Sequence, residues 1–334
     1  MKEALLYQHD GSEVICGLCM HQCRIKPGRR GICGVRENSD GTLVSLVYGR
    51  ISAEQIDPVE KKPLFHFLPS TLTYSISTIG CNFRCLHCQN HHLSQADTAE
   101  SRWNSVLRSP EEVARTALSG GCRSISYTYV EPTVFFEFAY DCCLAANEVN
   151  LKNIFVSNGY MSRQAAGMLV PVLDAINIDI KSFTDDFYKN ICGARLSHVL
   201  DNVRFFREQD VWVEVTTLLI PGLNDSDDEI RAIADFIVDV DPQIPWHISG
   251  FRPTYRMLDR PPTSPAQLQR ARDIGIAAGV KYVYIGNVHD GRGESTICPG
   301  CGNTVIDRRG FMVAGNSMTG GSCPSCKTKI AGVW

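Results

Sequence analysis

The sequence predicts an α/β protein, with a parallel-stranded domain set between two small cysteine-ligated metal modules. Three observations carry this. Short runs rich in Ile, Val, Tyr and Thr alternate with helical patterns through the middle of the chain. Eleven of the fifteen cysteines fall into three tight clusters. The 334 residues are 44% hydrophobic and 21% charged with a net charge of −3, ordinary for a globular chain. That composition excludes disordered and fibrous classes. The lack of a basic surplus argues against a nucleic-acid partner. No apolar run approaches the length of a membrane span. The opening MKEALLYQHDGSE has no apolar signal core, so a cytoplasmic location is expected. In a reducing compartment, clustered cysteines point to metal ligation rather than disulfides.

Strands are expected at Thr73–Thr78, Ser124–Thr128, Asn153–Ser157, Ala175–Ile180, Val211–Leu219, Trp246–Ser249 and Lys281–Ile285. Helix starts lie between them. Ser109-Pro110-Glu111-Glu112 reads as an N-cap serine, proline at the first helical position and a capping-box glutamate. Ser226-x-x-Glu229 and Ser264-Pro265-x-Gln267 repeat the device. Behind Ser226, Ile230, Ile233, Ala234 and Ile237 form an apolar stripe at helical spacing. Alternation at this spacing means parallel strands with helical crossovers. About six such units fit, fewer than the eight of a complete barrel, so a partial barrel and an open doubly wound sheet both satisfy the pattern. The cysteine clusters place the boundaries: an N-terminal module and linker at 1–65, the strand-helix domain at 66–291 and a C-terminal module at 292–334.

The central cluster, Cys81-x3-Cys85-x2-Cys88, directly follows the first of these strands. Three thiolates can hold three irons of a [4Fe-4S] cluster and leave the fourth open. Zinc is the alternative, with His87, His91 or His92 as fourth ligand. Loops after the C-terminal ends of parallel strands are where α/β folds carry chemistry.

CNFRCLHC resembles the CxxxCxxC motif of radical S-adenosylmethionine (SAM) enzymes. DPVEKKPLFHFLP, STIGCNFRCLHCQN, YTYVEPT, FVSNGY, NIDIKSF, TTLLIPGLND and the terminal AGVW resemble the AmmeMemoRadiSam-system radical SAM enzymes, relatives of the pyruvate formate-lyase activating enzymes. The resemblance implies a partial (β/α)6 TIM-like barrel of radical SAM type. It implies that SAM chelates the open iron through its amino and carboxylate groups. One electron then breaks the S–C5′ bond, and the 5′-deoxyadenosyl radical abstracts hydrogen from a substrate. Carried over by motif, Glu131 of YTYVEPT faces the SAM amino group, Asn158 of FVSNGY bonds its carboxylate or ribose, and Asp179 and Lys181 of NIDIKSF contact SAM. His247 in the sixth strand reaches toward the nucleoside. Each has an ordinary alternative: a turn, a surface ion pair, or a core histidine. Arg84 and His87 are expected to shape the cluster loop, with His91 and His92 at a helix start or on the surface. The charged segment 57–66 is either a solvated linker or, by resemblance, a cover for the cluster or the cavity mouth.

Cys298-x2-Cys301 and Cys323-x2-Cys326, twenty-one residues apart, match a zinc ribbon. A segment this short cannot bury much core, so bound metal would help it fold. With five Lys/Arg against two Asp/Glu in residues 291–334, its basic excess is too small to suggest DNA binding. Cys16, Cys19, Cys23 and Cys33 supply four more thiolates. Zinc is preferred there, and a second iron-sulfur cluster passing electrons inward is the sharper alternative. Of the remaining cysteines, Cys122, Cys142 and Cys143 read as core. Cys192 is a candidate hydrogen-atom donor or covalent relay facing the cavity.

The reading is therefore a radical SAM enzyme with [4Fe-4S], SAM and zinc as cofactors and an unidentified, small-molecule substrate. A flavodoxin or ferredoxin is the expected electron donor, and AMMECR-type and Memo-type proteins are the partners the resemblance implies. A glycyl-radical enzyme activase is the first alternative, and a non-catalytic zinc-binding protein the second.

Overall fold

A computed structural model describes residues 1–96, 105–287 and 293–334. Its frame is one eight-stranded sheet. In chain order the strands are β1 (Ala53–Pro58), β2 (Leu72–Ser77), β3 (Ser124–Tyr127), β4 (Lys152–Ser157), β5 (Ala175–Asp179), β6 (Trp212–Leu219), β7 (Trp246–Gly250) and β8 (Val283–Gly286). Each strand pairs with the next in sequence, β1 antiparallel to β2 and the other six pairs parallel. This order never reverses. A doubly wound sheet has a switch point where it does, so the sheet has the strand order of a partial barrel. All seven expected strands are present, their ends shifted by up to two residues. β1 is an addition: the sheet begins inside the segment expected to belong to the N-terminal module.

The longer helices are α1 (Pro110–Ser119), α2 (Phe136–Glu148), α3 (Arg163–Leu169), α4 (Leu196–Glu208), α5 (Asp227–Val240) and α6 (Pro265–Ala278). The caps act as expected. Ser109 and Ser264 form complete capping boxes with Glu112 and Gln267, and Ser226 accepts from the Glu229 N–H. α5 buries Ile230, Ile233, Ala234, Phe236 and Ile237. Cys122, Cys142 and Cys143 are buried, as read. No described helix is long and apolar enough to cross a membrane.

The N-terminal module consists of two three-stranded sheets and shares the main core. Val14, Leu18, Ile25 and Val35 belong to the same apolar cluster as Phe83 and Val134. A buried ion pair also ties it to α2. Arg36 Nη1 lies 2.8 and 2.9 Å from the two Glu137 oxygens, and Nη2 donates to the Leu5 carbonyl. The C-terminal module is a three-stranded sheet, Thr296–Ile297, Thr304–Arg309 and Met312–Asn316. It shares a second core with Phe65, Tyr282 and Tyr284. The boundary expected at 291/292 lies outside the described residues.

Removing one partner of a buried ion pair strands the other charge, at about 3–5 kcal/mol. Arg36→Ala is expected to lose about that much in chemical denaturation. Because the two groups act together, Arg36→Ala/Glu137→Ala should cost much less than the sum of the single changes. Additive losses would show that the pair does not hold the module.

Candidate active site

Three neighbouring strand pairs bring chemistry to one level. In the parallel register Asp179 stands opposite Thr216, Thr216 opposite His247, and His247 opposite Tyr284. All four line one cavity of about 400 Å³, Asp179 at the end of β5 and the other three level with it inside β6, β7 and β8. Leu218, Ser249 and Gly286 line it one step further on. Cys85 and Cys88 of the cluster loop face the same space, as do Glu60, Lys61, Pro63 and Phe65 from the linker and Phe311 from the C-terminal module. The linker is thus a wall of the cavity, not a solvated tether.

The cluster loop follows β2 and is held on several sides. The Arg84 and Leu86 N–H groups donate to the Cys192 and Ile191 carbonyls at 2.8 and 3.0 Å, and Asn90 Nδ2 donates to the Tyr129 carbonyl. Phe83 is buried against Tyr160 and Tyr188. Cys81 Sγ accepts from the Phe83 N–H, and Cys88 Sγ lies 3.2 Å from Ser94 Oγ. Burial and the neighbouring thiols push the Cys81 thiol above its ordinary range. His87 is 5% exposed, and its Nδ1 has no hydrogen-bond partner. Burial and Lys181 lower its pKa to about 3. Neutral, it can ligate or accept a hydrogen bond. His91 and His92 open the short helix His91–Ser94, and His91 stacks on Tyr255.

Asp179 and Lys181 pair at 2.8 Å on the cavity wall. Burial opposes the Lys181 charge, but Asp179 and the nearby thiols outweigh it, and the lysine stays protonated well above its ordinary range. His247 Nε2 lies 2.6 Å from Glu214 Oε2, with Phe65 edge-on and Tyr284 stacked. Burial raises the Glu214 carboxyl; the His247 hydrogen bond, both imidazoles and Trp212 outweigh it, leaving Glu214 below the ordinary carboxylate range.

The other expected site residues lie behind the wall. Glu131 is turned inward: Oε1 accepts from the Thr133 N–H, Thr133 Oγ1 and Ser157 Oγ, and Oε2 from the Asn158 N–H at 2.6 Å. Asn158 Nδ2 in turn donates to Asn82 Oδ1 beside Cys81. Neither residue is among those lining the cavity. They brace the Cys81 side of the loop. Cys192 also does not face the cavity. It is fully buried, and its neighbouring thiol, with burial, raises the Cys85 thiol well above its ordinary value.

Sequence reasoning missed Glu214, Asp57 and Tyr129. Glu214 had a signal, a lone carboxylate in the apolar run WVEVTTLL, fully buried in the fold. Asp57 accepts from Lys61, Lys62, Ser75 and Tyr129 and pins the linker to β2 and the Tyr129 turn. Nothing local in the sequence announces that meeting.

At the C-terminus, Cys298 and Cys326 sulfurs are 3.5 Å apart and those of Cys301 and Cys323 3.6 Å, all four within 4.8 Å of one another. The fifteen cysteines are free of disulfides.

Residues 75–237 match the family profile of the radical SAM superfamily. An uncharacterized protein of Methanocaldococcus jannaschii is 44% identical over 310 residues, 92% of each chain. The pyruvate formate-lyase 1-activating enzyme of Escherichia coli is 24% identical over 165 residues, which cover 48% of this chain and 66% of that one, just under two thirds. In fold, the chain is similar to the crystal structure of Streptococcus suis SuiB bound to S-adenosylmethionine, with a TM-score of 0.52 and 15% identity over 69% of this chain and 53% of that one. The chain belongs to the radical SAM superfamily and is a radical SAM enzyme related to the activating enzymes. This overturns the reading as a non-catalytic zinc-binding protein. The family implies a [4Fe-4S] cluster and SAM. The donor set fits both: soft thiols on one wall, and a carboxylate and an ammonium on another, matching the charges of an amino acid headgroup.

His66 joins the linker to both cores. Its N–H donates to Glu214, and its ring meets the Ala331 carbonyl and the Tyr284 hydroxyl. Burial, only partly opposed by Glu214, lowers its pKa to about 4. Between that value and the unfolded value of about 6.5 the unfolded chain takes up a proton that the folded chain refuses. Stability is therefore full above that window and falls as pH falls through it. A loss of about 2 kcal/mol from this group is expected on going from pH 7 to pH 5. Denaturation of His66→Gln at both values should show a difference smaller by that amount, and an unchanged difference would refute it.

Proposed function

We propose that Cys81, Cys85 and Cys88 hold a [4Fe-4S] cluster at which SAM is reductively cleaved, and that the substrate is a small molecule. The observation that carries this is the shared cavity: Cys85, Cys88, Asp179, Lys181 and His247 all open on it. Bound there, the cluster and SAM would supply a hydrogen-abstracting 5′-deoxyadenosyl radical. In this reading Lys181 takes the SAM carboxylate and Asp179 its ammonium, each by a charge-assisted hydrogen bond. Glu214 fixes the His247 ring toward the nucleoside. The linker and Phe311 narrow the space and exclude water, which protects a reactive radical. These walls from outside the parallel strands favour a small molecule over a protein loop. Electrons come from a flavodoxin or ferredoxin. AMMECR-type and Memo-type partners rest on the motif resemblance. The four touching C-terminal thiols hold structural zinc.

Activation of a glycyl-radical enzyme is the second reading, favoured by the similarity to the pyruvate formate-lyase 1-activating enzyme. A glycyl doublet in the EPR spectrum of a partner protein would decide for it.

Replacing Cys81, Cys85 and Cys88 together by Ala should abolish 5′-deoxyadenosine formation from SAM under dithionite, measured by chromatography. Lys181→Ala should keep the iron content and weaken SAM binding at least tenfold. Retained cleavage in the triple variant would sink the proposal.

A further inference from the structure

The cysteine sets at the two ends of the chain are built differently. One zinc ion about 2.3 Å from each of four sulfurs sets those sulfurs about 3.8 Å apart in a tetrahedron. The C-terminal thiols are already near that spacing, at 3.5 and 3.6 Å. Among the described residues theirs is the set whose sulfurs all lie within 4.8 Å of one another. Cys16, Cys19, Cys23 and Cys33 instead line one small chamber, whose wall also includes Leu18 and Ile25. Neither they nor the three central cysteines form such a close set among the described residues. A cuboidal cluster needs wider spacing, since four irons and four sulfides sit between the thiolates.

We infer that the N-terminal site holds a second [4Fe-4S] cluster, placed to pass electrons to the central one. The two cysteine loops touch. Asn82, next to Cys81, lines the N-terminal chamber, and its carbonyl is 2.8 Å from His21 Nε2. Arg84 Nη2 donates to the Ile32 carbonyl at 2.6 Å. Gly80 approaches Cys33 so closely that a Cβ there would lie 2.7 Å from the Cys33 carbonyl oxygen. Zinc at the N-terminal position would have no use for this proximity, whereas one-electron transfer depends on it. Lys26 and Arg29 are exposed on the segment between Cys23 and Cys33, a basic rim suited to an acidic redox protein. A low-potential donor of the flavodoxin or ferredoxin class gives one electron to the N-terminal cluster. That cluster is reoxidised as the central cluster is reduced by one; no bond breaks and no proton moves. Only this last transfer rests on the function proposed above.

The test is metal analysis and EPR of the full chain after anaerobic reconstitution with iron and sulfide. Wild type should hold about eight iron and one zinc, and the Cys81/Cys85/Cys88→Ala variant about four iron, four sulfide and one zinc. The complementary Cys19→Ser/Cys23→Ser variant should keep the central four, which guards against misfolding of either variant. On dithionite reduction, the wild-type signal should be broadened by coupling between the two clusters, and the signal of each variant should not. About two zinc and no iron in the triple variant would overturn the second cluster. An unbroadened wild-type spectrum at eight iron would overturn the relay. If the triple variant keeps its iron while wild type cleaves no SAM, the proposed function fails and the second cluster stands.

Discussion

The Glu214 carboxylate is the interaction on which the rest of the site depends. It lies in β6 with no solvent exposure and accepts from four donors: the Phe65 and His66 N–H groups, Trp212 Nε1 and the His247 ring. An ionised carboxylate this deep survives only when its lone pairs are occupied. That requirement runs outward through the structure. It pulls residues 65 and 66 down onto β6, which makes the preceding segment a cavity wall. It orients His247. It also seats Phe65 where the C-terminal module can reach it, through the Arg308 guanidinium that donates to the Phe65 carbonyl and lies over its ring. One buried charge thereby coordinates the linker, the parallel strands and the C-terminal module, three parts of the chain far apart in sequence.

The cavity's composition follows from parallel register. Parallel strands carry helices on one face and, in a barrel, side chains on the other, so a residue facing the interior at a strand's C-terminal end has no helix to cover it. Asp179 occupies that position, and Thr216 and His247 stand level with it on the adjacent strands, three residues before those strands end. The fold has to close the space with something else. Here it uses two segments held by buried charges: the linker by Asp57 and Glu214, the C-terminal module by Arg308. The site is thus enclosed by parts that the parallel sheet does not include.

The sequence revealed what is local and periodic. Strand composition, serine caps and cysteine spacing depend on neighbours within a few residues, and the structure reproduces them. Asp179, Lys181 and His247 entered as candidates through the motif resemblance and their places in or just after strands, and all three line the cavity. Glu131 and Asn158 show the limit. Strand position placed them near the loop but could not say which way the side chains turn, and the Ser157 and Thr133 hydroxyls draw Glu131 inward. Cys192 misled similarly, since a π-helical turn, Tyr188–Cys192, buries it against Cys85. The partial barrel and the doubly wound sheet were not separable from spacing, because both alternate strand and helix; only strand order distinguishes them.

Gly80 shows how little room the arrangement leaves. Its φ of +90° lies in the left-handed region that glycine adopts without strain. Its second constraint is independent of the first, because the space of a Cβ is already taken by the Cys33 carbonyl oxygen and the Val35 side chain. A residue tolerant of positive φ, such as asparagine, would satisfy the turn and still force the two cysteine loops apart. Glycine is required twice over, once by the bend that delivers Cys81 from β2 and once by the contact with the N-terminal module. The position of the first central thiol is therefore set partly by a segment whose own cysteines lie some sixty residues earlier in the chain, so that the N-terminal module is part of the active-site scaffold.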